Sequence, residues 1–401
     1  MSLFARVTRL GALALSVAVL LSNVTANAAV LGTSNRVVVL RVGDGTTALS
    51  ANAAAVFLEE YEITYTGITP TGATHVQTIA VPSTGATGTR LAIGGTASVE
   101  GGLNISANGQ YLMFGGYDTD LGTVTTSTTA RRMVGRLDLN GILSFDAIYG
   151  AGTTSSGNAI RTVTSQTGNE YWLGMSASPG IAYRTWEGGN NALVAATSLN
   201  TQNTRRLEIF NNQLYVDSAA GSVFGVATVG TGLPTTAGQT VTILPGMPTT
   251  TGPSPYDFFL ADANTLYVAD DRATTSGGLQ KWTQSGGTWS LAYTKNVDTT
   301  NGLRGLTGSV DAEGNVILFA TSTFGTTATA NALVGISDTL TNTIAGNVTV
   351  NSLASSASIP GAGGALATFR GLEAVGIAVP EPGTLGLASI ALLGLARRRR
   401  R

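Results

Sequence analysis

A pair of short apolar runs joined by a turn returns five times along the middle of this chain. The turns contain Asn, Gly and Asp, which tolerate the tight or left-handed backbone of a β-hairpin. In four copies a tyrosine lies ten residues after the first position: Tyr111 after Gly101, Tyr171 after Arg161, Tyr215 after Arg205 and Tyr267 after Asp257. This shared spacing predicts β-hairpins of one kind, repeated along the chain.

The distance between copies indicates how many strands each repeat contributes. Two further β-rich runs follow each hairpin, so each repeat supplies about four strands. The copies begin 60, 44, 52 and 47 residues apart, close to the roughly 40 to 50 residues of a four-stranded propeller blade. The fifth copy begins at Arg304, has a longer turn and places Ile317 near the tyrosine's position. The repeat therefore predicts a β-propeller.

The two ends of the repetitive region complement each other. Residues 369–378 repeat only the first strand of a blade, and three strand-like runs lie within residues 35–82. One blade shared between these ends would close the ring and leave no open sheet edge. We therefore expect an all-β fold, a β-propeller of six four-stranded blades closed by N- and C-terminal strands. Seven blades are an alternative if residues 82–100 or 351–368 contain another, and a β-sandwich array or a solenoid is a further one.

Composition agrees with β structure and excludes several kinds of chemistry. Only 11% of the residues are charged, and the 43% that are hydrophobic fall in short clusters that can fill a core, which argues against disorder. Cysteine is absent, so disulfides, thiolate nucleophiles and zinc-thiolate sites are excluded.

The N-terminus has the features of a secretory signal peptide. Arg6 and Arg9 provide a positive start, the apolar run 10–24 follows, and residues 26–28 form a small-x-small cleavage site. We expect signal peptidase to remove residues 1–28, because the apolar run is short for a retained membrane anchor. The mature chain then leaves the cytoplasm.

The C-terminus ends in an apolar run and an arginine cluster. The apolar run, residues 383–396, predicts a C-terminal helix that rises only about 21 Å and is short for a hydrocarbon core of about 30 Å. Pro380 and Pro382 prevent a longer helix. The arginines of residues 397–401 would remain on the cytoplasmic side of a membrane, with the body outside.

This tail resembles the PEP-CTERM sorting signal of Gram-negative bacteria. The Pro-Glu-Pro sequence, the short apolar helix and the terminal arginines carry the resemblance. It implies that an exosortase-type transpeptidase recognises Pro380, Glu381 and Pro382. Residues 379–401 would be held transiently in the inner membrane and removed as the body, residues 29–378, moves to the cell surface or an extracellular matrix. A plain tail anchor is the alternative.

The charge distribution excludes nucleic acid as a partner. Seven of the 22 basic residues lie in the two ends that are expected to be removed, which leaves an acidic body. The body has no basic run of the kind that nucleic acid or anionic lipid requires. Extracellular polysaccharide is the partner that we consider instead.

One position of the repeat predicts a ligand site. The first strand of each propeller blade lines the central channel, so equivalent positions face a common axis. The residues at this position are Arg161, Arg205, Arg304, Arg370, Asp257 and Gly101. The guanidinium groups could hold a carboxylate, a sulfate or a uronic acid through paired hydrogen bonds. Alternatively, the arginines bond carbonyl groups of neighbouring blades or the single aspartate.

Several acidic residues have both a functional and an ordinary interpretation. Asp44, Asp118, Asp120, Asp270 and Asp271 lie in turns, where oxygen ligands could bind calcium, but their spacing is not that of an EF-hand loop. Aspartate also favours turns for its own backbone hydrogen bonds. We predict no metal site and no cofactor.

A second acidic group lies near the N-terminus of the body. Glu59, Glu60 and Glu62 could supply the carboxylate pair of a glycoside hydrolase, but we interpret their run as a solvated outer strand. His75 is the only histidine, lies far from any nucleophile motif and is expected on a strand surface. The four tryptophans are expected to fill the core, and stacking on sugar rings is the alternative if they are exposed.

No catalytic residue is therefore predicted. We expect an exported, non-enzymatic β-propeller at the cell surface or in the extracellular matrix, with a structural, adhesive or ligand-binding role. The alternative is a secreted carbohydrate-active enzyme, a polysaccharide lyase or a glycoside hydrolase, on the same scaffold. An enzyme would bring acid and base groups together beside a deep pocket.

Overall fold

Strands dominate the structure, a computed structural model. It describes residues 31–32, 34–125, 131–149, 159–176, 179–189, 195–273, 276–297, 302–323, 330–360 and 366–375. The strands form six four-stranded antiparallel sheets and one two-stranded sheet. Short 3-10 turns lie at Ala345–Asn347 and Ser356–Ser358.

The first strands of the chain contribute to the closing blade, here called blade 1. They are β1 (Arg36–Val42), β2 (Ala53–Ala54), β3 (Val56–Thr66), β4 (Thr69–Ala80) and β5 (Ile93–Gly94). β1, β3 and β4 pair in that order, while the short strands β2 and β5 pair with each other.

Five further blades follow, each built from four consecutive antiparallel strands. Blade 2 contains β6 (Leu103–Ile105), β7 (Tyr111–Asp118), β8 (Arg131–Asp138) and β9 (Leu143–Tyr149). Blade 3 contains β10 (Ile160–Thr164), β11 (Glu170–Met175), β12 (Ile181–Thr185) and β13 (Thr197–Asn200). Blade 4 contains β14 (Leu207–Phe210), β15 (Gln213–Ala220), β16 (Val223–Val229) and β17 (Val241–Ile243). Blade 5 contains β18 (Pro255–Leu260), β19 (Thr265–Asp270), β20 (Gly278–Ser285) and β21 (Thr288–Lys295). Blade 6 contains β22 (Leu303–Val310), β23 (Asn315–Ser322), β24 (Ala332–Thr339) and β25 (Thr349–Ser355).

The last strand closes the ring. β26 (Thr368–Val375) pairs antiparallel with β1, with Val375 opposite Arg36 and Thr368 opposite Val42. Blade 1 therefore has the strand order β26-β1-β3-β4, and its inner strand comes from the C-terminal end of the body. The prediction of six four-stranded blades closed by N- and C-terminal strands is confirmed.

Two regions that could have held a seventh blade do not form a four-stranded sheet in the described part of the chain. Residues 82–100 contribute only β5, and the first residues of 351–368 belong to β25 of blade 6. The predicted signal peptide, the sorting tail and the C-terminal apolar helix lie outside the described residues.

The core lies between the blades. Strand residues alternate between the two faces of a sheet, so each blade packs apolar side chains against both neighbours. Leu40 of blade 1 lies in one cluster with Leu103 and Phe114 of blade 2. Val39, on the other face of blade 1, lies in a cluster with Phe319 of blade 6. Full burial of a side chain of this size contributes about 1.5–3 kcal/mol, so these clusters join the closing blade to both neighbours.

An irregular register near the start of the inner strands positions the channel side chains. In β10, β18 and β22 the pairing skips one residue, and the skipped residues are Arg161, Tyr256 and Arg304. Arg370 lies at a similar irregularity in β26. A β-bulge redirects the side chain of the extra residue, and all four side chains line the channel.

Candidate functional site

Five arginine side chains border one recess at an end of the channel. The recess encloses about 350 Å³ of space with open solvent included, and its closed part has room for little more than one water molecule. It is lined by Arg161 of blade 3, Arg205 and Arg206 of blade 4, Arg304 of blade 6 and Arg370 of blade 1. These residues lie at or just before the beginnings of the inner strands. We call Arg161, Arg205, Arg304 and Arg370 the mouth arginines.

Asp257 lines the same recess, so the structure brings all five predicted channel residues together. However, Tyr256 rather than Asp257 lies level with the mouth arginines. The equivalent position can be recognised in each of the six blades because it lies two residues before a fully buried apolar side chain. These buried side chains are Leu103, Val163, Leu207, Phe258, Leu306 and Leu372. By this criterion Tyr256 is the fifth member of the set, and Asp257 lies one residue deeper.

The ten-residue spacing to each tyrosine does not align the blades correctly, because the hairpins differ in length. Tyr171 lies two residues before the ladder partner of Val163, whereas Tyr267 lies one residue before the partner of Phe258. A constant spacing of ten residues therefore does not join structurally equivalent positions.

Arg206 is a site residue that the sequence analysis missed. It occupies the position just inside the mouth, where three of the six blades have a glycine: Gly102, Gly305 and Gly371. The large residues at this level are Arg206 and Asp257, and the Arg206 Nε lies 3.2 Å from Asp257 Oδ1. Two large residues of opposite charge among glycines are the signal that could have identified this pair.

Tyr256 spans the channel mouth between two arginines. The guanidinium carbons of Arg205 and Arg304 lie 4.8 and 5.0 Å from the centre of its ring. Its hydroxyl donates to the carbonyl oxygen of Ser98, which precedes blade 2, on the opposite side of the ring of blades. Burial raises the pKa of the Tyr256 hydroxyl, although nearby arginines oppose this shift.

Asp271 holds the same two arginines from outside. Its Oδ2 lies 3.4 Å from Nη1 of Arg205 and 3.5 Å from Nη2 of Arg304. One carboxylate thus serves two guanidinium groups, which leaves part of their positive charge directed at the recess.

The other two mouth arginines are fixed by oxygen atoms of neighbouring segments. Arg161 Nη1 donates to Asn203 Oδ1 at 2.6 Å and to the Thr204 carbonyl at 2.7 Å. Arg370 donates to the carbonyl groups of Gly95 and Ala97, each at 2.9 Å. Burial lowers the pKa of Arg370 to about 10, so its guanidinium is charged at neutral pH. The carbonyl bonds therefore orient cations without neutralising them.

The glutamates of β3 do not lie on a solvated strand, and that interpretation is wrong for two of them. Glu59 and Glu60 are 0% and 1% exposed. Glu59 pairs with Arg41 at 2.6 Å and with His75 at 2.8 Å, while Glu60 accepts from Gln77 at 2.6 Å. β3 is covered on both faces by its neighbours, and consecutive residues point to opposite faces. These carboxyl groups therefore cannot act across one sugar bond.

The turn aspartates serve as local hydrogen-bond acceptors. Asp44 accepts from the backbone N–H groups of Thr46 and Thr47. Asp118 accepts from Gly88 N at 2.8 Å and Arg90 Nε at 3.1 Å, and Asp270 pairs with Arg272 at 2.7 Å. Within the described ranges, no group of three or more His, Asp or Glu side chains could hold a metal ion.

The aromatic side chains of the blades are mostly internal. Trp172, Trp282 and Trp289 are buried, as expected for core residues. Trp186 is half-buried, and the guanidinium carbon of Arg136 lies 4.0 Å from its ring centre. None of these four rings lines the recess.

Comparison with known families identifies the tail. A family model described as the PEP-CTERM protein-sorting motif matches residues 378–401. The chain carries a PEP-CTERM sorting motif. The motif implies that the protein is exported and sorted by an exosortase to the cell envelope or surface. Pro380, Glu381 and Pro382 lie within the match.

Solved structures share the propeller architecture at low similarity. A protein of Bacteroides fragilis, provisionally described as a 6-phosphogluconolactonase, is 13% identical, with a TM-score of 0.44 over 80% of this chain and 82% of that one. The corresponding Bacteroides uniformis protein is 11% identical, with a TM-score of 0.40 and the same coverage. The hemagglutinin-neuraminidase ectodomain of parainfluenza virus 5 is 10% identical, with a TM-score of 0.38 over 77% and 76%.

These likenesses are too low to carry an argument about activity. No curated protein matches the sequence. The described residues contain no helix with the length and hydropathy of a membrane span.

Proposed function

We propose that the protein is an exported, non-enzymatic component of the cell surface or extracellular matrix whose body binds an anionic ligand at the arginine recess. Signal peptidase removes residues 1–28. An exosortase-type transpeptidase then recognises Pro380, Glu381 and Pro382, and the tail of residues 379–401 leaves the inner membrane. The body, residues 29–378, is the functional part.

One observation carries the ligand-binding proposal. The four mouth arginines come from four blades and converge on a single recess. Within the described part of the chain, Arg161 Nε and Arg206 Nη1 are buried and have no hydrogen-bond partner. Such donors lose free energy when they are left unpaired, and an anion in the recess would pair them.

The geometry favours a planar or tetrahedral oxyanion. Guanidinium groups bind carboxylate and sulfate through two parallel hydrogen bonds. Glu100 also lines the recess, but burial raises its pKa, which weakens its opposition to an incoming anion. A uronic acid or a sulfated sugar of an extracellular polysaccharide has the required chemistry.

The alternative function, a polysaccharide lyase or glycoside hydrolase, needs an acid and a base beside the arginines. Tyr256 is the group nearest to that role. Its hydroxyl donates to the Ser98 carbonyl, and burial raises its pKa, so it keeps its proton at neutral pH. These two properties favour binding over turnover.

A glycan array tests both functions with the body, residues 29–378. We expect retention of uronate-containing or sulfated glycans, weak retention of neutral ones, and no released reducing or unsaturated ends in a parallel assay. Charge-assisted hydrogen bonds contribute about 1.5–3 kcal/mol, so Arg304→Gln should weaken binding roughly tenfold or more, and Arg304→Lys less.

Lys295→Gln provides the matched control, because it removes one positive charge from outer strand β21. It should leave binding unchanged. Equal retention of neutral and anionic glycans would refute the anion site, and released ends would favour the enzyme. Circular dichroism establishes that the variants remain folded.

A further inference from the structure

Four carboxyl groups lie near the Arg206 side chain just inside the recess, and two of them pair with its guanidinium. They are Glu208 of β14, Asp217 of β15, Asp257 of β18 and Glu373 of β26, and we call them the carboxyl cluster. Arg206 Nη2 donates to Glu373 Oε1 at 3.0 Å, and its Nε lies 3.2 Å from Asp257 Oδ1. Its backbone N–H donates to Asp217 Oδ1 at 2.6 Å. Glu208 is the second residue of β14 and interacts electrostatically with Arg206 and with the other three carboxyl groups.

Burial disfavours the state of the cluster in which all the carboxyl groups are ionised. Asp217, Asp257 and Glu373 are 0%, 2% and 5% exposed. Glu208 is half-buried. The ionised carboxyl groups repel one another strongly where the dielectric is low, and Arg206 is the one cation that pairs with two of them directly. Such groups reduce the repulsion by binding protons.

Hydrogen bonds within the channel compensate only part of this charge. Asp257 accepts from the backbone N–H groups of Phe258 and Leu306, and Glu373 accepts from the Thr307 hydroxyl at 2.7 Å. The second oxygen of Asp217, Oδ2, is buried and has no hydrogen bond to any described residue.

The remaining elements around the cluster contribute neutral or mouth residues. β6 contributes Asn104, whose amide donates to the Leu207 carbonyl at 3.0 Å. β10 contributes Thr162, which accepts from that same amide. The charged groups facing the cluster from above are the mouth arginines, with Asp271, Glu100 and Tyr256 beside them. Arg206 borders both the recess and the carboxyl cluster, so these two groups of charges share one cation.

We infer that the carboxyl cluster is a proton-binding site, and that its proton occupancy sets the affinity of the mouth arginines for an anion. Proton binding is argued from the cluster alone, whereas its effect on anion affinity rests on the proposed function. Burial raises the pKa of Asp217 and of Glu373 to about 7 and that of Asp257 to about 6. Burial also raises the pKa of Glu208.

The raised pKa values determine how stability and anion binding change with pH. The folded protein holds more protons on the cluster than the unfolded chain does, from the ordinary aspartate value of 3.8 up to about 7. The free energy of unfolding therefore falls as pH rises through this range. The cluster becomes more negative at the same time, so an anion at the mouth binds more weakly.

Denaturant unfolding of the body between about pH 5 and about pH 8 tests proton binding without any ligand. We expect the midpoint to fall with rising pH in the wild type and less steeply in Asp217→Asn and Glu373→Gln. Glu313→Gln, an exposed acid outside the channel, is the matched control and should follow the wild type. The slope assigned to the cluster is the part that the two variants remove.

Glucuronate and sulfate, which stay ionised across this range, test the coupling by calorimetry. Affinity should fall about tenfold or more from about pH 5 to about pH 8, and Asp217→Asn or Glu373→Gln should reduce this dependence. If neither variant changes the slope of unfolding, the proton site is refuted. Binding that does not vary with pH refutes the coupling while the anion site stands. An intact unfolding slope without binding of either anion overturns the proposed function and the coupling but supports the proton site.

Discussion

At the scale of single residues, the recess depends on a glycine as much as on its arginines. Gly101 has a φ of +90°, in the region that favours glycine. A Cβ atom added there would lie 2.9 Å from Cβ of Arg370 and 3.0 Å from its Cγ. Arg370 in turn bonds two carbonyl groups. A side chain at position 101 must therefore move an arginine of the mouth.

Gly101→Ala should destabilise the body by roughly 1–3 kcal/mol, because backbone strain adds to crowding of Arg370. Gly109→Ala is the matched control, since its φ is +71° but nothing lies within 4 Å of an added Cβ. Urea unfolding should give the larger loss for Gly101→Ala. Equal losses would show that the contact with Arg370 contributes nothing.

The residues of the site were only partly predictable from the sequence. The convergence of the mouth arginines followed from their place before the first strands. Asp257 was assigned to the mouth position that Tyr256 occupies, because the hairpins differ in length and only buried residues such as Phe258 show the register. The burial of Glu59 was missed because its partners, Arg41 and His75, come from strands on either side of β3, and strand neighbours of this kind are not visible in the local sequence.

At the scale of elements, closure of the ring by β26 is the decisive pairing. The sequence analysis predicted this pairing because the C-terminal region repeated only the first strand of a blade. It did not predict the pair β2 and β5, whose two-residue strands are too short for a periodic pattern. Without β26, the apolar strand β1 would present an open edge.

A body that ends at residue 367 should lose cooperative unfolding and self-associate through β1, because the open edge accepts another strand. A peptide of residues 368–375 added in trans should restore a monomer, whereas the same residues in scrambled order should not. Size-exclusion chromatography and near-ultraviolet circular dichroism measure both effects. A monomeric, cooperatively folded truncation would contradict this role of β26.

At the scale of the whole molecule, the folded body and the sorting motif occupy separate parts of the chain. The match to the sorting motif begins at residue 378, three residues after β26 ends at Val375. The fold is therefore complete before the motif begins. Sorting and ligand binding can consequently be disrupted independently.

Glu381→Ala should block processing and keep the full-length chain in the membrane fraction of a host with an exosortase, because the motif loses its only carboxylate. Recess binding by the isolated body should be unaffected. Glu313→Ala, in an exposed turn of blade 6, should be released normally. Immunoblotting of membrane and medium fractions measures the outcome, and normal release of Glu381→Ala would contradict the assigned recognition role.

The direction of the last strand leads us to expect one orientation of the body while the tail is held in the membrane, as proposed. β26 enters beside Arg370 at the recess and ends at Val375, roughly 16 Å further on at about 3.3 Å per residue. Seven residues, 376–382, connect Val375 to the apolar run 383–396, and a connection of this length spans at most about 25 Å. Under the proposed transient anchoring, we therefore expect the end of the body opposite the recess to lie nearer to the bilayer, with the arginine recess facing away from it.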